Sequence, residues 1–314
     1  MNRAQLNIRY SPRNAKGEKP YIIQPIDGKG MGAIAIKSIK FGDLILSEQP
    51  LFTVKSQLGI VPLPVIVKKL VPKSDIEKRQ YINLANCHVG AKHPFIGIYE
   101  TNALPCGPTG GDKVTNKGAI FLEACRFNSS CIPNTINYWN AAKGVIEFRA
   151  LKDVDEGEEL CICYTKELQS REARRNILRS KFGFICQCAA CSLSTEEVKA
   201  SDNRRATLAS LVDEIGECGN RPADGLKKAK LGLRLTKEEG IIYLVRTFTY
   251  DAFQFCVITS DLKHAKEWIR EARKAASCIW GPDAAQGCDE YVQNPKKHPS
   301  WGAGWKMTLE GPDE

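Results

Sequence analysis

Residues 126–134 read Arg-Phe-Asn-Ser-Ser-Cys-Ile-Pro-Asn, and the rest of the chain is organised around them. Pro133 prevents a regular helix or a central strand at this point, and it pushes the residue before it into an extended conformation. The Asn and Ser side chains can bond nearby backbone and hold an irregular path. Taken alone, the stretch would be read as a surface turn.

Two further patterns follow in the chain. Residues 157–164 read Gly-Glu-Glu-Leu-Cys-Ile-Cys-Tyr and predict a strand in which Leu160, Ile162 and Tyr164 share one face. Residues 186–191 then read Cys-Gln-Cys-Ala-Ala-Cys. Cysteines at this spacing are typical of structural zinc sites, which need four ligands, so a more distant residue would have to complete this one. The alternative is a group of buried free thiols.

Together these three patterns resemble the signatures of SET-domain lysine methyltransferases, in the family's order, over about residues 21–193. The nearest resemblance is to the SET–MYND branch and its fungal relatives. Residues 55–98 contain a single cysteine, so the seven-cysteine MYND finger is not expected there. The resemblance implies an α+β fold, with a β-rich SET domain (a β-clip with a knot), a helical insert, a zinc-binding post-SET segment and a helical, TPR-like C-terminal domain.

The resemblance also implies two cofactors, S-adenosylmethionine and Zn²⁺. Tyr164 matches the catalytic tyrosine, although alone it would be read as a packed strand aromatic. The residues expected to bind S-adenosylmethionine are Lys29, Gly30, Met31, Asn102, Asn128, Ser129, Tyr164 and Phe184. The expected zinc ligands are Cys186, Cys188 and Cys191, with Cys131 of the knot as the fourth. Ser129 departs from the family, which usually has histidine there.

The glycines at 28, 30 and 32 can adopt positive φ and let backbone approach a ligand closely. No suitable helix follows them, so they are not a dinucleotide-binding fingerprint. The acidic turn at residues 153–159 is interpreted as a solvated surface. Cys161 and Cys163 could ligate metal, but two small buried thiols are the more common case.

The predicted organisation divides the chain into five parts. Their bounds are a flexible lead at 1–20, a SET domain at 21–166 with a helical insert at 55–98, a post-SET segment at 167–193, a helical domain at 194–280 and a tail at 281–314. Within the SET domain, helices are predicted at 63–70 and 75–84, and residues 100–104 resemble the family's strand that carries the asparagine, here Asn102. Two helices with apolar residues at helical spacing, separated at Ser260-Asp261 and ended by Gly281-Pro282, predict a tetratricopeptide-type hairpin. The Gly/Pro-rich tail is expected to lie over the surface or to be partly disordered.

Composition limits the function further. The chain has 314 residues, 13 cysteines and a net charge of +9. An odd number of scattered cysteines, with no secretory signal, favours reduced thiols and a metal site inside the cell, in the nucleus or cytoplasm. The basic residues at positions 3–16 favour a disordered tail over a mitochondrial leader. No run is apolar enough to span a membrane.

The expected partner is a protein substrate with a target lysine, such as a histone, and a monomer is expected. The positive charge is carried by helices without interleaved aromatics, so direct nucleic-acid binding is not indicated. The alternative function is a catalytically inactive SET-type zinc module for protein interaction, and Ser129 is the feature that favours it.

Overall fold

The computed structural model describes residues 19–56, 60–107 and 116–313. All the described strands lie before residue 163, and long helices dominate after it. The predicted flexible lead at 1–20 lies outside the described residues, apart from Lys19 and Pro20.

The strands are short, and ten are found in the described residues. They are β1 Tyr21–Ile26, β2 Gly30–Ala35, β3 Leu44–Glu48, β4 Phe52–Lys55, β5 Leu104–Pro105, β6 Lys117–Ile120, β7 Asn128–Ser129, β8 Thr135–Asn140, β9 Val145–Ala150 and β10 Glu159–Ile162. They form three small sheets, in the orders β1-β2-β10-β7, β3-β9-β8 and β4-β6-β5.

One sheet joins the distant parts of the sequence that matter for the site. The β1–β2 hairpin pairs Ile26 with Gly30, and Gly28 and Gly30 close its turn with positive φ. β2 pairs antiparallel with β10, and β10 pairs in parallel with β7 of the knot. The glycine turn, the knot and the strand before Tyr164 therefore meet in one sheet.

Apolar side chains between the sheets support this arrangement. The Phe127 ring lies 4.7 Å from that of Phe148 and 5.2 Å from that of Tyr21, both with edge-to-face geometry. All three side chains are fully buried. The knot is thus anchored in the core by its second residue, while Asn128, Ser129 and Ser130 are only partly buried.

The predicted insert contains three helices, α1 Leu63–Leu70, α2 Asp75–Ile82 and α3 Pro94–Asn102. Ser74 and Glu77 form a capping box at the start of α2. The helix predicted at 63–70 is confirmed. The strand predicted around Asn102 is wrong, because residues 94–102 are helical and Asn102 is the last residue of α3.

Seven helices follow the last strand in the described residues. They are α4 Arg171–Phe182, α5 Thr195–Gly216, α6 Pro222–Glu239, α7 Val245–Ile258, α8 Leu262–Trp280, α9 Pro282–Ala285 and α10 Asp289–Gln293. The predicted helix pair corresponds to α7 and α8, with Ser260 at φ 60° and Asp261 capping α8. Phe248, Phe253 and Trp268 are buried between the helices.

The C-terminal residues pack against this helical region. Leu309 is part of its core, and the Trp268 indole Nε1 donates a hydrogen bond of 3.0 Å to the Glu310 carbonyl. Short helices occupy part of residues 282–297. The described part of the tail is therefore folded onto α7 and α8.

A buried arginine connects the helical region to the knot. Arg205 of α5 forms an ion pair of 2.8 Å with Glu239 of α6. Its other nitrogens donate to the carbonyls of Glu167 and Cys131. Because Cys131 belongs to the knot, helices α5 and α6 are tied directly to the centre of the fold.

Candidate active site

The knot is held against β10 by paired backbone and amide contacts. Asn128 and Ser129 align with Cys161 and Ile162. The Asn134 side chain accepts from the Cys161 N–H at 2.8 Å and donates to the Glu159 carbonyl at 2.9 Å. The amide of Asn134 thus makes the hydrogen bonds that a neighbouring strand would otherwise make to the backbone of β10 at this point.

Tyr164 follows β10 and turns back to the knot. Its hydroxyl donates to the Phe127 carbonyl at 2.6 Å, and its backbone N–H donates to the Ser129 hydroxyl oxygen at 3.3 Å. Burial raises the pKa of Tyr164, so the hydroxyl keeps its proton at neutral pH. The ring lies 4.9 Å from that of Phe182.

Tyr164 is one of the residues that line a cavity of about 260 Å³. The cavity is lined by Thr101, Asn102, Ala103, Leu104, Pro105, Ala124, Cys125, Asn137, Ile162, Cys163, Tyr164, Thr165 and Phe182. None of these lining residues carries a charged side chain. A larger open groove of about 700 Å³ between α8 and α10 contains none of the predicted site residues.

The glycine turn lies on the other side of the knot residue Asn128. The Asn128 Nδ2 donates to the Met31 carbonyl at 3.3 Å. A Cβ on Gly32 would lie 2.8 Å from Asn128 Nδ2 and 2.6 Å from Ile26 Cγ1, so only glycine fits there. The structure therefore brings Lys29, Gly30 and Met31 next to the knot.

Glu159 is a site residue that the sequence analysis missed. Its carboxylate forms an ion pair of 2.6 Å with Lys29 Nζ and accepts from Asn128 Nδ2 at 2.8 Å. Burial acts to lower the pKa of Lys29, but the bond to Glu159 raises it above its usual range, so Lys29 stays cationic. The interpretation of residues 153–159 as a solvated turn is wrong for Glu159, and its place at the start of a strand was the available signal.

Asn102 and Phe184 differ from the other predicted cofactor residues. Asn102 lines the cavity, but its amide donates to the Ala85 and Ile98 carbonyls, each at 2.7 Å. Phe184 is 37% exposed and is absent from the lining of the cavity, where Phe182 contacts Tyr164 instead. The structure thus gives Asn102 a role in holding α3 and leaves Phe184 at the surface beside the cysteine cluster.

The four predicted zinc ligands are brought together. The sulfur atoms of Cys131, Cys186, Cys188 and Cys191 lie within 4.8 Å of one another. Cys131 Sγ is 4.0 Å from Cys186 Sγ and 3.7 Å from Cys191 Sγ. Four sulfurs at about 2.3 Å from a zinc ion would be separated by roughly 3.8 Å, so the donor set fits a tetrahedral zinc centre.

The electrostatics of this cluster divide its members: contacts with the neighbouring thiols raise the pKa of Cys131, and the pKa of Cys186 is also raised. Hydrogen bonding from the neighbouring thiols, first of all Cys131, lowers the pKa of Cys188 and of Cys191. The pair Cys161 and Cys163 differs, since burial raises the pKa of Cys161 to about 12 and of Cys163 to about 11. Those two cysteines fit the prediction of protonated, buried thiols.

Comparison with known proteins identifies the family. Residues 30–165 match the profile described as SET domain. The histone-lysine N-methyltransferase set5 of Schizosaccharomyces pombe is 32% identical over 285 residues, covering 88% of this chain and 85% of the relative. The human protein-lysine N-trimethyltransferase SMYD5 is 35% identical over 83 residues, 26% of this chain and 20% of the relative.

Among solved structures, Rubisco LSMT bound to AdoMet covers 90% of this chain and 88% of its own, at 14% identity and a TM-score of 0.35. In the described residues, no helix is both long and apolar enough to cross a membrane. The sequence signatures and the fission-yeast relative, matched over most of both chains, show that this protein belongs to the SET-domain family of protein-lysine methyltransferases.

Proposed function

We propose that the protein transfers a methyl group from S-adenosylmethionine to the side-chain amine of a lysine in a protein substrate. The observation that supports this proposal most directly is the position of the Tyr164 hydroxyl. Tyr164 lines a cavity whose described lining residues are all uncharged, and its hydroxyl donates to the Phe127 carbonyl, next to Asn128. A lysine entering the cavity would therefore reach the residues proposed to hold the cofactor.

The proposed cofactor site consists of the glycine turn and the knot, namely Lys29, Gly30, Met31, Asn128 and Ser129, together with Tyr164. Contact of Asn102 or Phe184 with the cofactor stays a prediction. S-adenosylmethionine supplies a methyl group on a cationic sulfonium. The close approach that Gly32 permits, and the amide of Asn128 fixed by Glu159, suit a ligand bound through backbone and amide groups.

The cavity fits the chemistry that the acceptor lysine needs. A lysine amine is protonated in water, with a pKa of about 10.4, and only the neutral form has a lone pair for attack. Removal from water lowers that pKa, and none of the described residues that line the cavity carries a charge to oppose the change. The Phe127 carbonyl and the Tyr164 hydroxyl are then available to orient the amine.

Ser129 has a role of its own in this arrangement. Its hydroxyl oxygen accepts from the Tyr164 backbone N–H at 3.3 Å. Ser129, which stands where the family usually has histidine, thus helps to hold Tyr164 in place. This contact favours an active enzyme over the alternative, an inactive SET-type module for protein interaction.

Zinc bound by Cys131, Cys186, Cys188 and Cys191 is the second part of the proposal. A structural zinc ion would link the knot to the segment after α4 and contribute to folding. We also propose the division of the chain given above, with a SET domain at 21–166, a post-SET segment at 167–193 and a TPR-like helical domain from 194. The likeness of that last region to tetratricopeptide repeats stays a prediction.

The substrate class follows from the relatives. Because the fission-yeast relative is named a histone-lysine methyltransferase, we propose core histones as the first substrates to test, and a nuclear or cytoplasmic location. Tests on histones would also show whether a non-histone protein is the better acceptor.

The experiment compares the wild-type protein with Tyr164→Phe. Calorimetric titration with S-adenosylmethionine should give saturable one-to-one binding for both proteins. Methyl transfer to core histones, followed by mass spectrometry, should fall by about 100-fold or more in the variant, the effect of losing one positioned donor. Full activity of the variant would refute the role of the tyrosine. Absence of cofactor binding by folded, zinc-loaded wild-type protein would support the inactive module instead.

A further inference from the structure

Arg174 is a fully buried arginine on the helix that precedes the cysteine cluster. Its side chain has no exposed surface, and it is among the largest completely buried side chains in the described part of the chain. It lies one helical turn before Leu178, so both side chains lie on the inward face of α4. A guanidinium placed there needs a reason, because a buried charge is costly unless it is paired and hydrogen-bonded.

The oxygen acceptors near Arg174 pair only one of its three guanidinium nitrogens. Nη1 donates to the Gln169 carbonyl and lies 3.8 Å from a carboxylate oxygen of Asp202, which is partly exposed. Nε and Nη2 are buried and have no hydrogen-bond partner among the described residues. Acceptors for these two buried nitrogens are therefore needed.

The cysteine cluster packs against the same face of α4, because Leu178 lies in one buried apolar cluster with Cys131, Cys186 and Cys191. Arg174 interacts with Cys131 and Cys191, which are two of the four cysteines brought together around the knot. Four neutral thiols would not compensate a cation. Four thiolates around Zn²⁺ carry a net charge of −2, and their sulfurs are good acceptors for N–H groups.

We propose that Arg174 is a positioning residue of the zinc centre, donating from Nε and Nη2 to the thiolates of Cys131 and Cys191 and offsetting half of the centre's net charge. The inference rests on the proposed zinc site. It explains why the cation is buried and why two of its nitrogens have no oxygen acceptor. The neighbouring Arg175 acts differently, since it donates to the carbonyls of Cys186 and Cys191 and so holds the backbone of the same loop.

The test uses full-length protein loaded with zinc. Zinc content is measured first, and then the rate of zinc release to a colour-forming chelator. Arg174→Met should release zinc about 10- to 100-fold faster than wild type, the usual cost of removing a group that supports a metal ligand. Arg174→Lys, which keeps the charge but has a single donor nitrogen, should be intermediate. Arg179→Met is the matched control, because Arg179 is exposed on the same helix.

A second readout separates this role from ordinary packing. In cobalt-substituted protein, a hydrogen bond to a thiolate lowers the energy of the sulfur orbital that donates to the metal. Arg174→Met removes that bond and should shift the sulfur-to-cobalt charge-transfer band to longer wavelength. Asp202→Asn should leave both zinc release and the band unchanged. If Asp202→Asn reproduced the effect, or if Arg174→Met and Arg174→Lys both matched wild type, the inference would be wrong. Absence of zinc from the wild-type protein would instead refute the zinc site itself.

Discussion

The knot at residues 126–134 and the α7–α8 helix pair are stabilised in opposite ways. In the knot, Asn134 bridges two backbone groups, Asn128 is held by Glu159, and Cys131 lies in a group of four sulfurs. In the helix pair, Phe248, Phe253 and Trp268 are buried in a contiguous apolar core. The knot therefore depends on single directional contacts, whereas the helix pair depends on the total apolar area removed from water.

The largest effect is expected from removal of the metal. Structural zinc contributes about 10–16 kcal/mol of apparent binding energy in small domains. Cys131→Ser, or treatment with a strong chelator, should therefore greatly lower the melting temperature of the protein and abolish binding of S-adenosylmethionine. Thermal unfolding and calorimetry measure both effects. Cys218→Ser is the control, because Cys218 is equally buried but lies outside the cluster. Equal effects of the two substitutions would contradict the zinc site.

In the helix pair, we expect a core substitution to lower the free energy of unfolding strongly while the candidate active site stays intact. Trp268→Ala removes a buried side chain and its hydrogen bond to the Glu310 carbonyl, at a cost of about 3–5 kcal/mol. Denaturant unfolding should show this loss, while the affinity of the folded protein for S-adenosylmethionine stays unchanged. Arg270→Ala, on the exposed side of the same helix, should change neither quantity.

A local effect is expected at Glu159. Glu159→Gln keeps the shape of the side chain but removes the ion pair with Lys29 and weakens the hold on Asn128. Because Lys29 is half exposed, we expect only about tenfold weaker binding of S-adenosylmethionine, measured by calorimetry. Glu158→Gln is the matched control, since Glu158 pairs with Lys152 instead. Equal affinity of the Glu159→Gln variant and wild type would show that the carboxylate does not position the cofactor site.

The smallest expected effect is a pH dependence of the free energy of unfolding, caused by Glu48, which contacts the backbone just before the knot. Glu48 accepts from the N–H groups of Glu123 and Ala124, and its burial raises its pKa from 4.5 to about 7. The folded state therefore binds a proton that the unfolded state releases, so the stabilisation is full below pH 4.5 and is lost as pH rises through 7.

Between pH 6 and pH 8 the free energy of unfolding should fall by about 1 kcal/mol from this group alone. Denaturant unfolding at several pH values measures the slope. Glu48→Gln keeps the acceptor oxygen and should remove this part of the slope. An unchanged slope in that variant would assign the pH dependence to other groups.

The same contrast explains what could be predicted from the sequence. Periodicity located α7 and α8, because apolar burial repeats along a helix and is visible in one segment. The knot, Tyr164 and the four cysteines were found through their resemblance to the family signatures. Glu159 was missed because its partners, Lys29 and Asn128, lie 130 and 31 residues away in the chain.

Asn102 and Phe182 show a second limit. The segment before Asn102 was predicted as a strand, but Pro94 begins a helix that runs to Asn102, whose amide is held by the Ala85 and Ile98 carbonyls. Phe182 and Phe184 were both expected beside the cofactor, and Phe182 is the one that contacts Tyr164. The glycine at 183, with φ 74°, is a usual signal for the end of a helix, but it does not specify which of its two phenylalanine neighbours turns toward the site.

The contacts of Arg205 have a consequence for how the protein unfolds. One side chain joins α5, α6, the Glu167 carbonyl and the Cys131 carbonyl. A fragment that stops before α5 would lose those helices and also the donor that satisfies a buried carbonyl of the knot. The strand-rich and helical halves should accordingly melt as a single cooperative unit.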